Sequence, residues 1–168
     1  YKLGDVLTAS NGKTTEIGNP DAEGGLTLAD ALVSAGKLQP RFILDFATLT
    51  GACVHALTER QSGVFTNREA LEPLLEAAGR RSGERVVCFP MPADYDADLR
   101  SKVADVLQCA VEGKGDHILA ARFLSRFVPP SIAWAHVDLS SATRSGGLAH
   151  VATDVTGFGV RFALDLLL

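Results

Sequence analysis

A chain of 168 residues, 46% hydrophobic and 21% charged, has the composition of one globular domain with a core of its own and not that of a disordered segment. A formal net charge of −4, with the basic residues scattered, lacks the electrostatic footprint of a nucleic-acid or anionic-membrane binder. No apolar run reaches the roughly 18 residues that span a bilayer and the N-terminus lacks a signal-peptide pattern, so the expected setting is the cytoplasm, with neither nucleic acid nor membrane as partner.

Tyr1 is not an initiator Met, and the chain opens on a strand-like segment with no lead-in, which reads as a fragment of something longer. Val6-Leu7-Thr8-Ala9 and Thr14-Thr15-Glu16-Ile17 flank Ser10-Asn11-Gly12-Lys13, where Asn-Gly supplies the positive backbone angles of a tight hairpin. Leu26, Leu28, Ala29, Ala31 and Leu32 then recur at helical spacing up to Gly36, a stop signal. Asp21 and Glu23 therefore fall between a strand and a helix N-terminus, a common place for a site in an α/β fold.

Phe42-Ile43-Leu44-Asp45-Phe46 follows Pro40 as a short apolar run and predicts a strand covered on both faces. Ala47-Thr48-Leu49-Thr50-Gly51-Ala52 turns from its end into a helix through about Leu57. Thr66 and Glu69 have capping-box spacing ahead of Leu71, Leu74, Leu75 and Ala78, and Pro73 inside that pattern means a late start or a kink. Leu99, Val103, Val106 and Leu107 predict a third helix, and Ile118, Leu119, Phe123, Leu124 and Phe127 a fourth. Ile132-Ala133-Trp134-Ala135-His136-Val137-Asp138-Leu139 reads as a strand, and Gly157-Phe158-Gly159-Val160 leads into a last apolar helix. The alternation predicts an α/β layered domain on a mixed, mostly parallel sheet.

Cys53, Cys88 and Cys109 are odd in number, widely spaced and in apolar surroundings, which predicts buried free thiols. His55, His117, His136 and His150 show no paired ligand spacing and are expected to be core or surface histidines. Asp21 and Glu23 remain. They are hard oxygen donors that could share one side of a turn while Gly24-Gly25 let backbone approach closely, and paired carboxylates can bridge two divalent ions. The same spacing also serves a helix dipole, so by itself it leaves capping and metal binding both open.

The segment Asn19-Pro20-Asp21-Ala22-Glu23-Gly24-Gly25-Leu26 resembles the NTDAEGRL signature of the M17 leucyl aminopeptidase family. The resemblance runs on through Asn11-Gly12-Lys13-Thr14, Leu28-Ala29-Asp30-Ala31-Leu32, Ala47-Thr48-Leu49-Thr50-Gly51-Ala52, Trp134-Ala135-His136-Val137-Asp138 and Thr156-Gly157-Phe158-Gly159-Val160-Arg161, in family order along nearly the whole chain. It implies that residues 1–168 are the C-terminal part of a metallo-aminopeptidase catalytic domain, an α/β/α sandwich without its upstream part. It also implies cytosolic hydrolysis that releases N-terminal residues from peptides with two divalent ions, Zn or Mn, in a hexamer. By the same resemblance Asp21 and Glu23 take two metal-ligand positions, and Thr48, Leu49 and Gly51 fall in the segment whose backbone lines the substrate site. The family's other ligands, a Lys and two Asp, and a second catalytic Lys belong to motifs upstream of the signature.

Two departures fall on the signature. Gly25 stands where the family has the Arg that holds a bicarbonate ion, which removes a fixed charge and a bidentate donor. Pro20 stands where it has Thr. The isolated chain is therefore expected to be inactive, and the alternative to an aminopeptidase domain is a non-catalytic remnant with a structural or assembly role.

Overall fold

In the computed structural model, residues 1–110 and 112–168 are described. The elements run β1 (Val6–Thr8), β2 (Thr14–Glu16), α1 (Glu23–Lys37), β3 (Phe42–Ala47), α2 (Gly51–Leu57), β4 (Ser62–Thr66), α3 (Glu72–Ser82), β5 (Val86–Cys88), β6 (Val106–Leu107), α4 (Asp116–Ser125), β7 (Ala133–Asp138) and α5 (Val160–Leu167), with short 3-10 turns between. By contacts the chain forms two compact units, residues 1–43 with 91–134 and residues 44–90 with 135–168. Each is α/β, as the alternation predicts, and both sheets are mixed.

In the first unit β1 and β2 form the expected hairpin, with Val6 opposite Glu16 and Thr8 opposite Thr14. Its turn closes by the Ala9 N–H donating to the Lys13 carbonyl at 2.8 Å, and Gly12 takes the φ of 85° that only a residue without Cβ adopts freely. Helix α1 buries Ala29, Leu32, Val33 and Gly36, and α4 buries Leu119, Ala121, Phe123 and Leu124. Of the α1 residues the spacing marked, Ala29 and Leu32 are buried, Leu26 and Leu28 half-buried and Ala31 exposed, and the helix runs one residue past Gly36 to Lys37.

The third predicted helix does not exist. A 3-10 turn ends at Leu99, and Val106–Leu107 is instead strand β6, parallel to β2 with Val106 opposite Thr15. Local side chains claim the backbone donors a helix would need. Ser101 Oγ accepts from the N–H groups of Val103 and Ala104 at 3.0 and 2.9 Å, and Asp105 instead binds the hairpin, its Oδ2 accepting from Thr14 N at 2.8 Å. Leu99 and Val106 are buried but Val103 is 65% exposed, so the apolar spacing was not one face.

Arg122 grips Asp96 with a two-pronged contact at 2.8 and 2.7 Å, and Arg126 adds a third at 2.8 Å. The Arg122 hydrogen bonds hold the Asp96 carboxyl below its usual range, against a smaller opposing effect of burial. Because the folded state depresses this pKa, the contribution is complete above the unfolded value of about 3.9 and is lost as pH falls through the folded one. Acid unfolding followed by α4 amide exchange should therefore begin at higher pH in Arg122→Met than in the parent chain.

The second unit is built on the sheet β3-β7-β4-β5, in which β4 runs parallel to β5 and antiparallel to β7. All five residues of β4 are buried, as a central strand requires. The sequence pattern marked neither β4 nor β5. Helix α3 starts late, at Glu72, with Pro73 in its first turn where a missing N–H costs nothing. Thr66 ends β4, and its hydroxyl accepts the Arg68 N–H at 3.1 Å, a local turn and not a helix cap. Glu84, 1% exposed, points its Oε2 at the N-terminus of α5 and accepts from Gly159 N at 2.9 Å and Phe162 N at 2.8 Å, with Arg161 3.1 Å from its other oxygen.

Candidate functional site

Asp21 and Glu23 lie where the sequence places them, at the junction of the hairpin and α1, with Glu23 as the first helical residue. Both are exposed, and among the described residues neither carboxylate has a hydrogen-bond or ion-pair partner. The geometry leaves both readings in place: no side chain caps α1, whose N-cap is Ala22, but Glu23 lies in its first turn, where a carboxylate favours the helix dipole.

The backbone beneath the pair is held from two sides. Asn19 Oδ1 accepts the Asp21 N–H at 3.0 Å, and the Ala22 N–H closes the turn onto the Asn19 carbonyl at 3.1 Å. Pro20 is thus the second residue of a β-turn, whose N–H is not used, so it fits here without loss. Gln108, 4% exposed, donates its Nε2 to the Ala22 carbonyl at 2.7 Å and accepts the Asn19 N–H on Oε1 at 3.1 Å. Gly18 lies so close to the following strand end that a Cβ would stand 3.0 Å from the Cys109 carbonyl. Gln108 was not picked out from sequence. Only a polar residue at the end of an apolar pair, Val106-Leu107, could have signalled it.

Gly25 sits inside the first turns of α1 with ordinary helical backbone, and a Cβ there would meet Phe123 at 3.7 Å, a normal contact. The position therefore has room for a side chain to start.

Thr48, Leu49 and Gly51 belong to the second unit, on the connection from β3 into α2. One buried residue fixes this connection. Asp138, 1% exposed at the end of β7, accepts from Leu49 N at 3.1 Å, from Thr50 N at 3.2 Å and from Thr50 Oγ1 at 2.7 Å. Thr50 in turn caps α2 by accepting the Cys53 N–H at 3.2 Å. Gly51 faces open space, with nothing within 4 Å of an added Cβ. On the same strand His136 lies 2.5 Å from Asp45 through Nδ1, a paired core histidine.

A cleft of about 490 Å³ lined by Asn11, Gly12, Lys13, Asp105, Val106 and Arg126 takes in neither carboxylate. Another of about 450 Å³, lined by Glu59, Arg60, Thr143, Arg144, Ser145 and Asp154, takes in none of the α2 connection. The three cysteines are free, Cys53 buried and Cys88 and Cys109 half-buried. Burial pushes each thiol up, Cys88 to about 12 with Glu76 and Glu72 adding to the effect, so none is a poised nucleophile.

The donors at the α1 junction fit a divalent cation in kind, being hard carboxylate oxygens without competing partners. In number two carboxylates fall short of a shell, and among the described residues no group of three or more His, Cys, Asp or Glu is placed to hold a metal.

A family model described as "Cytosol aminopeptidase family, catalytic domain" matches residues 1–164. A protein described as a probable cytosol aminopeptidase from Syntrophotalea carbinolica is 45% identical over 168 residues, covering 99% of this chain and 33% of that protein. Another so described, from Chlorobium phaeobacteroides, is 45% identical over 170 residues, again with 99% and 33% coverage. A solved structure of a tomato leucine aminopeptidase mutant superposes with a TM-score of 0.91 at 38% identity, covering 99% of this chain and 32% of that one. The chain thus spans about a third of the length of the curated relatives it matches.

Proposed function

The chain belongs to the cytosol aminopeptidase family, and from that premise we propose that residues 1–168 are part of a metal-dependent catalytic domain that releases N-terminal amino acids from peptides in the cytosol. The observation that carries this reading is the pair Asp21 and Glu23, two exposed carboxylates without side-chain partners among the described residues, on a turn whose backbone is fixed by Asn19 and Gln108. They supply two ligands of a two-ion site, Zn or Mn, whose remaining donors come from the two-thirds of the relatives' length that this chain does not span. Two such ions, when bound, polarise a scissile carbonyl and lower the pKa of a water between them.

The chain's own share of the work is positional. Asp138 accepts the N–H groups of Leu49 and Thr50, which fixes the backbone of the segment that lines the substrate site in this reading. Gly25 provides no guanidinium to hold an anion beside the ions, so proton transfer loses its fixed carrier.

A chimera tests the reading: this chain replaces the matching third of the Syntrophotalea carbinolica relative, with Gly25→Arg introduced. Metal-dependent hydrolysis of aminoacyl amides that is lost in Asp21→Ala and in Glu23→Ala is the expected result. A folded chimera without activity would overturn it.

Assembly into a homo-oligomer, a hexamer by analogy with the family, is part of the same proposal. Val160, Leu164 and Leu167, which recur on one face of α5, are 64%, 53% and 62% exposed, an apolar stripe of the kind an interface covers. Light scattering should give a mass several times that of one chain, falling toward one in Leu164→Glu. A monomer at high concentration would count against it.

A further inference from the structure

We propose that Gln108 is a positioning residue for the Asp21–Glu23 pair, one that holds their turn in the conformation that presents both carboxylates to a single divalent ion; this rests on the reading of those residues as metal ligands. The geometry that points to it is a clamp. Gln108 is anchored at the strand end, where its own N–H donates to the Glu16 carbonyl at 2.9 Å and extends the β2–β6 pairing. From that fixed base its amide reaches the two ends of the turn, taking the Asn19 N–H at 3.1 Å and giving Nε2–H to the Ala22 carbonyl at 2.7 Å. Asp21 lies between those two contacts and Glu23 immediately follows the second.

The chemistry selects the residue type. An amide carries a neutral donor and a neutral acceptor side by side on one planar group, and of the two amide residues Asn is one methylene shorter. Glu would keep the acceptor but turn a second oxygen on the Ala22 carbonyl. Helix α1 begins at this turn without a side-chain cap, and while the Asn19 side chain holds the Asp21 N–H, it is Gln108 that holds the Ala22 carbonyl, the last backbone group before Glu23. Supports of this kind, one step removed from a metal, typically change affinity 10- to 100-fold when lost.

The test is a titration of the 168-residue chain with Mn2+, read as paramagnetic broadening of individual backbone amide resonances, which reports a weakly held ion without requiring activity. Broadening centred on Asp21, Ala22 and Glu23 and abolished by Asp21→Asn with Glu23→Gln is the expected result for the parent chain. Gln108→Met, which keeps the side-chain volume, and Gln108→Ala should each raise the Mn2+ concentration needed for that broadening about tenfold or more. Leu75→Val, a core change in the other unit, should destabilise without moving it, which separates positioning from loss of fold. If the broadening persists in the double carboxylate variant, or does not occur at these residues, the ligand reading falls and the proposal with it. If it is centred there but unchanged in both Gln108 variants, the ligand reading stands and the positioning role of Gln108 is refuted.

Discussion

The isolated 168-residue chain is expected to hydrolyse no aminoacyl amide at a measurable rate, with or without added Zn or Mn. At the candidate site, among the described residues, no third His, Cys, Asp or Glu joins Asp21 and Glu23. Two carboxylates on a solvent-facing turn hold an ion weakly, so the charge stabilisation that such ions give a transition state is not assembled. In the chimera, activity should stay low with Gly25 and rise on Gly25→Arg. A preorganised donor at a reacting centre is commonly worth about 10² to 10³ in rate, roughly 3–4 kcal/mol, which sets the size of the expected gain. The arginine does not have to force its way in, because a Cβ at position 25 meets Phe123 at 3.7 Å. Replacing a helical glycine should also add about 0.5–1 kcal/mol of stability, so higher activity with unchanged or raised melting temperature is the signature. Chelator-sensitive turnover by the 168-residue chain, at a rate comparable to a full-length relative, would refute both the partial-site argument and the role given to the missing guanidinium.

Glu84→Ala is expected to produce a large loss of stability, about 2–6 kcal/mol, from leaving two buried N–H groups without an acceptor at roughly 1–3 kcal/mol each. Glu84 is 1% exposed, and its carboxylate is the N-terminal cap of α5, serving the N–H groups of Gly159 and Phe162 at 2.9 and 2.8 Å. Its removal leaves two buried donors without an acceptor and Arg161 without its anion. Helix α5 packs on α3 and carries Phe162, which is fully buried, so the damage spreads from the cap into the core. Glu84→Gln keeps one oxygen for the helix N–H groups but gives up the charge, and should fall between the parent and Glu84→Ala. Urea melts followed by circular dichroism, with exchange of the α5 amides as the local probe, measure this. A change under about 1 kcal/mol in Glu84→Ala would show that water replaces the carboxylate at the cap and that the network is not what holds α5.

The polypeptide sequence alone determined those features that rest on local chemistry. The Asn-Gly hairpin, the amphipathic stripe of α1, the apolar strand 42–47 and the last helix are each written in neighbouring residues, and all are present. The signature and the ordered motifs around it sufficed for the family, because close backbone approach and paired carboxylates require particular residues at fixed spacing. Tertiary structure decided the rest. The strand Ser62–Thr66 has no alternating pattern to read, since a central strand is buried on both faces and its polar ends are satisfied by its neighbours. Val106–Leu107 imitated a helix until Ser101 took up local donors, Asp105 a donor from the distant hairpin, and β2 provided a ladder. Gln108, Asp138 and Glu84 carry no motif at all. Each acts on backbone groups 75 or more residues away in the chain, so its role exists only once the fold has brought a buried polar side chain against backbone donors or acceptors that need a partner.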